Sequence, residues 1–218
     1  MPGAAACVVN ASWRGYPARM TDTSANPTAD NPLLARHGEA LDLFTVRVHA
    51  VRPDQWDAPT PCTEWSVRAL VNHLAVEQMW VPALLREGAS AGGPGDVLSG
   101  DQLGDDPIAT WDAAAAVART AFQEPGALER TVALSYGASP ATEYCAQMTA
   151  DATVHAWDLS RAIGAEERLP KPLVDFSVRE VAPYAADLER SGLFAAPADP
   201  PPNADAQTKL LALLGREA

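Results

Sequence analysis

The chain has 218 residues, a net charge of -12 and a pI near 4.6, and its 16 Lys and Arg residues form no cluster. Phosphate binding needs a concentrated basic face, so nucleic acid is excluded as the expected partner. With 47% hydrophobic and 20% charged residues the composition is that of a soluble globular chain with one substantial core, and no apolar run approaches the roughly 18 residues of a membrane span.

Residues 1–29 hold arginines and small residues without an apolar stretch of signal-peptide length, and read as a disordered extension with Met1 or Met20 as the start. From Asn31 the pattern turns helical. Pro32 suits a first turn, and Leu34, His37, Leu41, Phe44, Val48 and Val51 recur at spacings of three and four, predicting a helix to about Arg52 and Pro53. His37 lies on the apolar stripe, most simply as a hydrogen-bonded, half-buried side chain; His49 lies off it. The proline-rich loop WDAPTPCTEW then leads to Ser66 as N-cap of a second helix, VRALVNHLAVEQMWVPALL. Leu70, His73, Glu77, Trp80 and Leu84 share one of its stripes, and Pro82 is expected to kink or end it.

Residues 88–106, rich in Gly, Ser and Asp, read as a loop, either a lid or a mobile connection. A third helix is expected over 107–124 around Trp111, and RTVALSYGAS as a short extended segment or hairpin arm. The fourth helix runs from about Pro140 to Ile163 and is stopped by Gly164. Pro170 and Pro172 introduce a fifth to about Ser191, FAAPADPPPN crosses as a strap, and residues 204–214 form a closing helix. No strand-helix alternation, repeat or glycine-rich phosphate loop occurs, so the fold class is all-α: a four-helix bundle over 30–165 with a helical extension, 166–218, packed on it.

Two of these helices place metal-competent groups on inward stripes: His73 on the second, Asp151 and His155 on the fourth. Four helical residues advance about 400°, so Asp151 and His155 lie one above the other with Met148, Leu159 and Ala162. On spacing alone they are either a surface ion pair or two ligands of something. A buried carboxylate needs a countercharge or a metal, and a divalent ion would satisfy all three groups while leaving a coordination position open. Two nitrogens and one oxygen suit Zn²⁺; Ni²⁺, Fe²⁺ and Mn²⁺ remain compatible. Cys7, Cys62 and Cys145 are an odd number without CxxC spacing, so neither a disulfide framework nor a cysteine zinc site is indicated, and a reducing cytoplasm fits.

APTPCTEWSVRALVNHL, then DATVHAWDLSRAIG, then LFAAPADPPPNADAQTKLLALLGRE together resemble the DinB-like superfamily, and more narrowly the metal-binding domain of mycothiol-dependent maleylpyruvate isomerase. The resemblance covers about residues 30–217. It implies a four-helix bundle holding a divalent metal, usually zinc, with His73, Asp151 and His155 as ligands. The isomerase has Glu at the acidic position, so the shorter Asp151 implies closer helices or a bridging water. The isomerase also carries a sizeable C-terminal domain, which the residues after Gly164 do not supply, so its substrate contacts do not transfer.

The resemblance implies a metal-dependent thiol S-transferase or isomerase, with a low-molecular-weight thiol such as mycothiol and a small electrophile as partners. With Asp151 as its only anionic ligand, a Zn²⁺ site would keep a net positive charge and favour an incoming thiolate or hydroxide. The alternatives are a metal-dependent hydrolase and a non-catalytic, stress-related metal-binding protein. Glu77 could take up the thiol proton, serve as a fourth ligand, or be a solvated or Arg-paired glutamate. Trp80 is expected to line the pocket, with Trp65 and Trp157 as packing residues. Asp158 reads as a helical pair with Arg161, or as a group orienting an imidazole. Cys62 reads either as a nucleophile before a helix start or as a small buried side chain. The oligomeric state is left open, a homodimer included.

Overall fold

A computed structural model describes residues 31–87, 98, 100–134, 137–184 and 198–217. The expected extension over 1–29, most of the loop before Gly100 and part of the proline-rich strap lie outside the described residues. Six helices and one short hairpin make up the described fold: α1 (Pro32–His49), α2 (Val67–Glu87), α3 (Pro107–Phe122), β1 (Thr131–Leu134), β2 (Gly137–Pro140), α4 (Ala141–Ile163), α5 (Lys171–Val181) and α6 (Ala206–Leu213). The fold is therefore mainly α-helical, as the bundle reading expects.

Local chemistry sets most boundaries. Asn31 caps α1 by accepting the Leu33 N–H at 2.9 Å, and Ser66 Oγ accepts the Ala69 N–H at 3.2 Å as α2 begins. Asp106 caps α3 and Asp205 caps α6 in the same way. Gly164, with φ of 70°, ends α4 where a side chain would be strained. β1 and β2 pair antiparallel, with Leu134 opposite Gly137.

One expectation is narrowed and one corrected. Of the two outcomes expected at Pro82, a kink or an end, the end is excluded, because helix α2 runs on through Pro82 to Glu87. A proline inside a helix costs about 3 kcal/mol, but burying Leu84 and Leu85 beyond it returns about 1.5–3 kcal/mol each. Helix α5 ends at Val181, followed by a 3-10 turn at Ala182–Tyr184, so it is shorter than the expected run; residues 185–191 lie outside the described part.

Helices α1 to α4 close a ring in which α2 meets α3, α3 meets α1, α1 meets α4 and α4 meets α2. Phe44 and Trp111 stack at 4.7 Å between ring centroids in the main cluster, and the Trp111 indole donates to Thr45 Oγ1 at 2.9 Å. A second cluster gathers Val81, Leu84, Leu85, Phe122 and Tyr144 towards the hairpin. Helix α4 is buried on nearly every side, because α5 packs on the flank that the ring leaves uncovered, and α6 packs on α5. Most polar groups on α4 therefore meet protein rather than water, the exposed Arg161 excepted.

Candidate metal centre

Helix α2 delivers His73 and helix α4 delivers Asp151 and His155 to one point between them. His155 Nε2 lies 3.3 Å from Asp151 Oδ1, and His73 Nε2 lies 3.7 Å from Asp151 Oδ2. One donor atom from each of the three falls within 4.8 Å of the others. The shorter side chain of Asp151 thus reaches the two imidazoles. These are not surface groups: His155 is fully buried, and the His73 and Asp151 side chains keep only 11% and 8% of their exposure. The ion-pair reading needed a solvated carboxylate, and this one is enclosed.

The electrostatics follow from the crowding. Burial alone would raise the Asp151 pKa, but the neighbouring imidazoles of His155 and His73 outweigh it and hold the carboxyl well below its ordinary range. Glu77, one turn beyond His73 and buried, goes the other way and is pushed up to about 7. Burial is the main cause; His73 opposes the rise, Asp151 adds to it, and His155 opposes it.

The donor set fits a divalent ion. His73 Nε2 is buried and has no hydrogen-bond partner, because the Asp151 oxygen is too far to bond directly. Leaving a nitrogen so placed is unfavourable unless a cation takes its lone pair. Two imidazole nitrogens and one carboxylate provide the ligand types that zinc takes in open sites.

A second group, Cys62, His155 and Asp158, also converges. Here the cation is already supplied by the protein. Arg216 donates from Nε to Asp158 Oδ1 at 2.8 Å and from Nη2 to Asp158 Oδ2 at 2.8 Å, and its Nη2 lies 3.5 Å from Cys62 Sγ. Asp158 in turn meets His155 Nδ1 at 2.8 Å. The Asp158 pKa, which burial would raise, is held far below its usual range by Arg216 and His155. With the guanidinium in place, this second group needs no ion.

The sequence expectations fare unevenly. Asp158 does not pair with Arg161, whose guanidinium binds Glu167 at 2.7 and 2.9 Å and lies 4.5 Å over the Trp157 ring. The side chain of Asp158 points into the core, where the oriented imidazole is found. Trp65 is the aromatic wall of the site, its ring 4.7 Å from that of His73 and 6.0 Å from that of His155. Trp80 is half-buried against the second cluster. Glu77 is neither solvated nor Arg-paired in character; it is buried beside the ligand set. Cys62 is buried among Arg216, Asp158 and His155.

His37 was expected to be half-buried and hydrogen-bonded. Instead it is fully buried, its ring packs edge-on against Phe122 at 5.0 Å, and its Nε2 has no hydrogen-bond partner. His49 is exposed and meets Asp112 at 2.9 Å. The residue that sequence reasoning missed is Arg216. The available signal was chemical: a carboxylate two turns beyond Asp151 on the same face needs a cation, and Arg216 directly follows a helix-ending glycine.

Comparison with known proteins bears on the family and the fold. A family model described as the mycothiol maleylpyruvate isomerase N-terminal domain matches residues 37–160. Uncharacterized proteins from two strains of Mycobacterium tuberculosis are each 34% identical over 143 residues, covering 66% of this chain and 73% of the relative. Crystal structures of mycothiol-dependent maleylpyruvate isomerase and of a histidine-to-alanine mutant superpose with TM-scores of 0.55 and 0.56 at 16% and 17% identity. Each covers 72% of this chain and 70% of the other. The structural likeness speaks for the fold alone; the family match spans more than half of the sequence. The chain belongs to the mycothiol maleylpyruvate isomerase N-terminal domain family.

Proposed function

We propose that this protein is a metal-dependent enzyme that uses a low-molecular-weight thiol of the mycothiol type, in S-transfer to a small electrophile or thiol-assisted isomerisation of one. The observation that carries the reading is the enclosed meeting of His73, Asp151 and His155, with the His73 nitrogen left without a hydrogen-bond partner. These three residues hold a divalent ion, zinc before nickel, iron or manganese. When bound, such an ion supplies Lewis acidity that keeps a thiol ionised near neutral pH.

The chain's own groups account for the rest. Asp158 receives the Nδ1–H of His155 and so turns the Nε2 lone pair towards Asp151 and His73. Glu77, with a pKa near 7 and a position beside the ligand set, takes the proton that an entering thiol gives up. The Trp65 ring covers one side of His73 and keeps water from it. The buried free thiol of Cys145 is in keeping with a reducing compartment. The electrophile is not carried over from the isomerase, because a fold shared at 17% identity does not fix a substrate.

Metal analysis of protein purified without chelators or metal-affinity steps, followed by incubation of the zinc-loaded chain with mycothiol and a panel of electrophiles, tests the reading. Bound metal together with a thiol conjugate or an isomerised product is expected. Metal without thiol binding, but with hydrolysis of esters or amides, would favour the hydrolase. Metal with neither activity would leave a binding protein.

A further inference from the structure

Arg216 lies beyond α6, yet its side chain is buried. The reason is local. Gly215 adopts φ of 69°, its N–H bonds to Ala212 O at 3.1 Å, and the Arg216 N–H bonds to Leu211 O at 2.9 Å. That pair of bonds is the Schellman ending of a helix, and it turns the chain back over α6. The turned residue points into the core instead of continuing outward. Its head group then makes two parallel bonds to Asp158, a third to Leu214 O at 3.1 Å, and a contact with Cys62 Sγ.

We propose that Arg216 is a positioning residue of the metal centre, acting on His155 through Asp158, so that the C-terminal tail completes the site. The inference rests on the metal reading above. Asp158 alone, on one turn of α4, could swing about its χ angles; two bonds from a planar fork fix the carboxylate plane. The free lone pair of Oδ2 then faces His155 Nδ1 at 2.8 Å and selects the tautomer whose Nε2 is available as ligand. Arg216 also shares the negative charge of Asp158, so the imidazole is held by a carboxylate that does not draw its proton away. Cys62, from the proline-rich loop, closes the third side at 3.6 Å from Asp158. Three segments remote in sequence therefore converge on the outer nitrogen of one ligand.

Zinc affinity, measured by competition with a chromophoric chelator, and the visible spectrum of the cobalt-substituted protein would be compared for wild type, Arg216→Met, Arg216→Lys, Asp158→Asn and the Asp158→Asn/Arg216→Met double variant. Arg216→Met and Asp158→Asn are each expected to weaken binding by roughly 10–100-fold and to shift the cobalt bands. The double variant should bind as Asp158→Asn does, since Arg216 has no route to the metal once its carboxylate is gone. Arg216→Lys, which keeps charge but not the fork, should recover part of the loss. Wild-type affinity and an unchanged cobalt spectrum in Arg216→Met, or losses that multiply in the double variant, would overturn the proposal while leaving the metal centre standing. Should Arg216→Met not fold, the double variant decides, because it strands no buried charge: affinity equal to Asp158→Asn supports the relay, and a further loss refutes it. A wild-type chain that binds no zinc would remove the metal centre and this proposal together.

Discussion

His155 holds two roles on one ring, and each nitrogen has a different neighbour: Asp151 at 3.3 Å from Nε2 and Asp158 at 2.8 Å from Nδ1. A side chain so enclosed has no rotamer to spare, which is why the groups around it matter more than their number suggests. Glu77 is the next in importance, and its role can be separated from ligation. Glu77→Gln is expected to lower thiol addition by about 10²–10⁴-fold while leaving zinc affinity within a few-fold of wild type. Collapse of zinc affinity in that variant would instead make Glu77 a ligand. His37 supports a second residue-scale prediction, away from the metal. Burial, with a smaller contribution from Arg119, lowers its pKa from 6.5 to about 3. The native ring stays neutral where the unfolded ring binds a proton, so this group's penalty is absent above pH 6.5 and grows as pH falls towards 3. In chelator-treated protein, urea unfolding of wild type and His37→Leu should diverge by about 1.4 kcal/mol per pH unit between pH 6 and 5, wild type losing more. Parallel curves would mean that the ring is hydrated or partnered in solution.

Elements are where the sequence was most and least informative. The stripes of α2 and α4 were legible because helical periodicity alone puts His73, Asp151 and His155 among apolar neighbours, and no tertiary knowledge is needed to see the mismatch. The caps at Asn31 and Ser66 and the stop at Gly164 were legible for the same reason: each is a contact within a few residues. Pro82 left a kink and an end both open, because what carries the helix past it is the packing of Leu84 and Leu85, a tertiary quantity. Asp158 misled, since a nearby Arg161 offered a local partner while the real one stands 58 positions away. Trp80 was expected to line the pocket and Trp65 to pack, yet the Trp65 ring is the one beside His73, because which half-buried ring meets an imidazole depends on how the proline-rich loop lies across the bundle. The ending of α6 was readable in principle from Gly215. Gly215→Ala forces a left-handed backbone on a residue with a side chain, so it should destabilise the fold by about 1 kcal/mol. If the turn aims Arg216, the same substitution also weakens zinc binding, whereas an equally destabilising change at the exposed Val46 does not.

At the scale of the whole molecule, the seam of α2 and α4 in the ring of four helices is where Glu77, His73, Asp151 and His155 sit together. In that seam the metal-free chain encloses two carboxyl groups, Asp151 and Glu77, whose burial disfavours their charged forms. Outside the ring, Gln207 ties α6 to the segment after α4, bonding Leu169 N–H and Glu167 O at 2.9 Å each, and Arg216 ties the tail to Asp158. The seam and the tail therefore share His155 and Asp158, and loss of the ion should loosen both. An ion that binds only the folded chain stabilises it by RT ln(1 + [L]/Kd), about 2.7 kcal/mol at a hundredfold excess over Kd. For a chain of this length each kcal/mol shifts the melting temperature by about 2–4 °C. Stripping the ion with a chelator should thus lower Tm by about 5–11 °C, and zinc should restore it in a concentration-dependent way. Hydrogen exchange of the same two samples would locate the change, with faster exchange in the middle of α2 and α4 and in residues 206–217 of the stripped protein, and α3 unaltered. A Tm indifferent to chelator, with uniform exchange, would leave the seam to be held by its own hydrogen bonds.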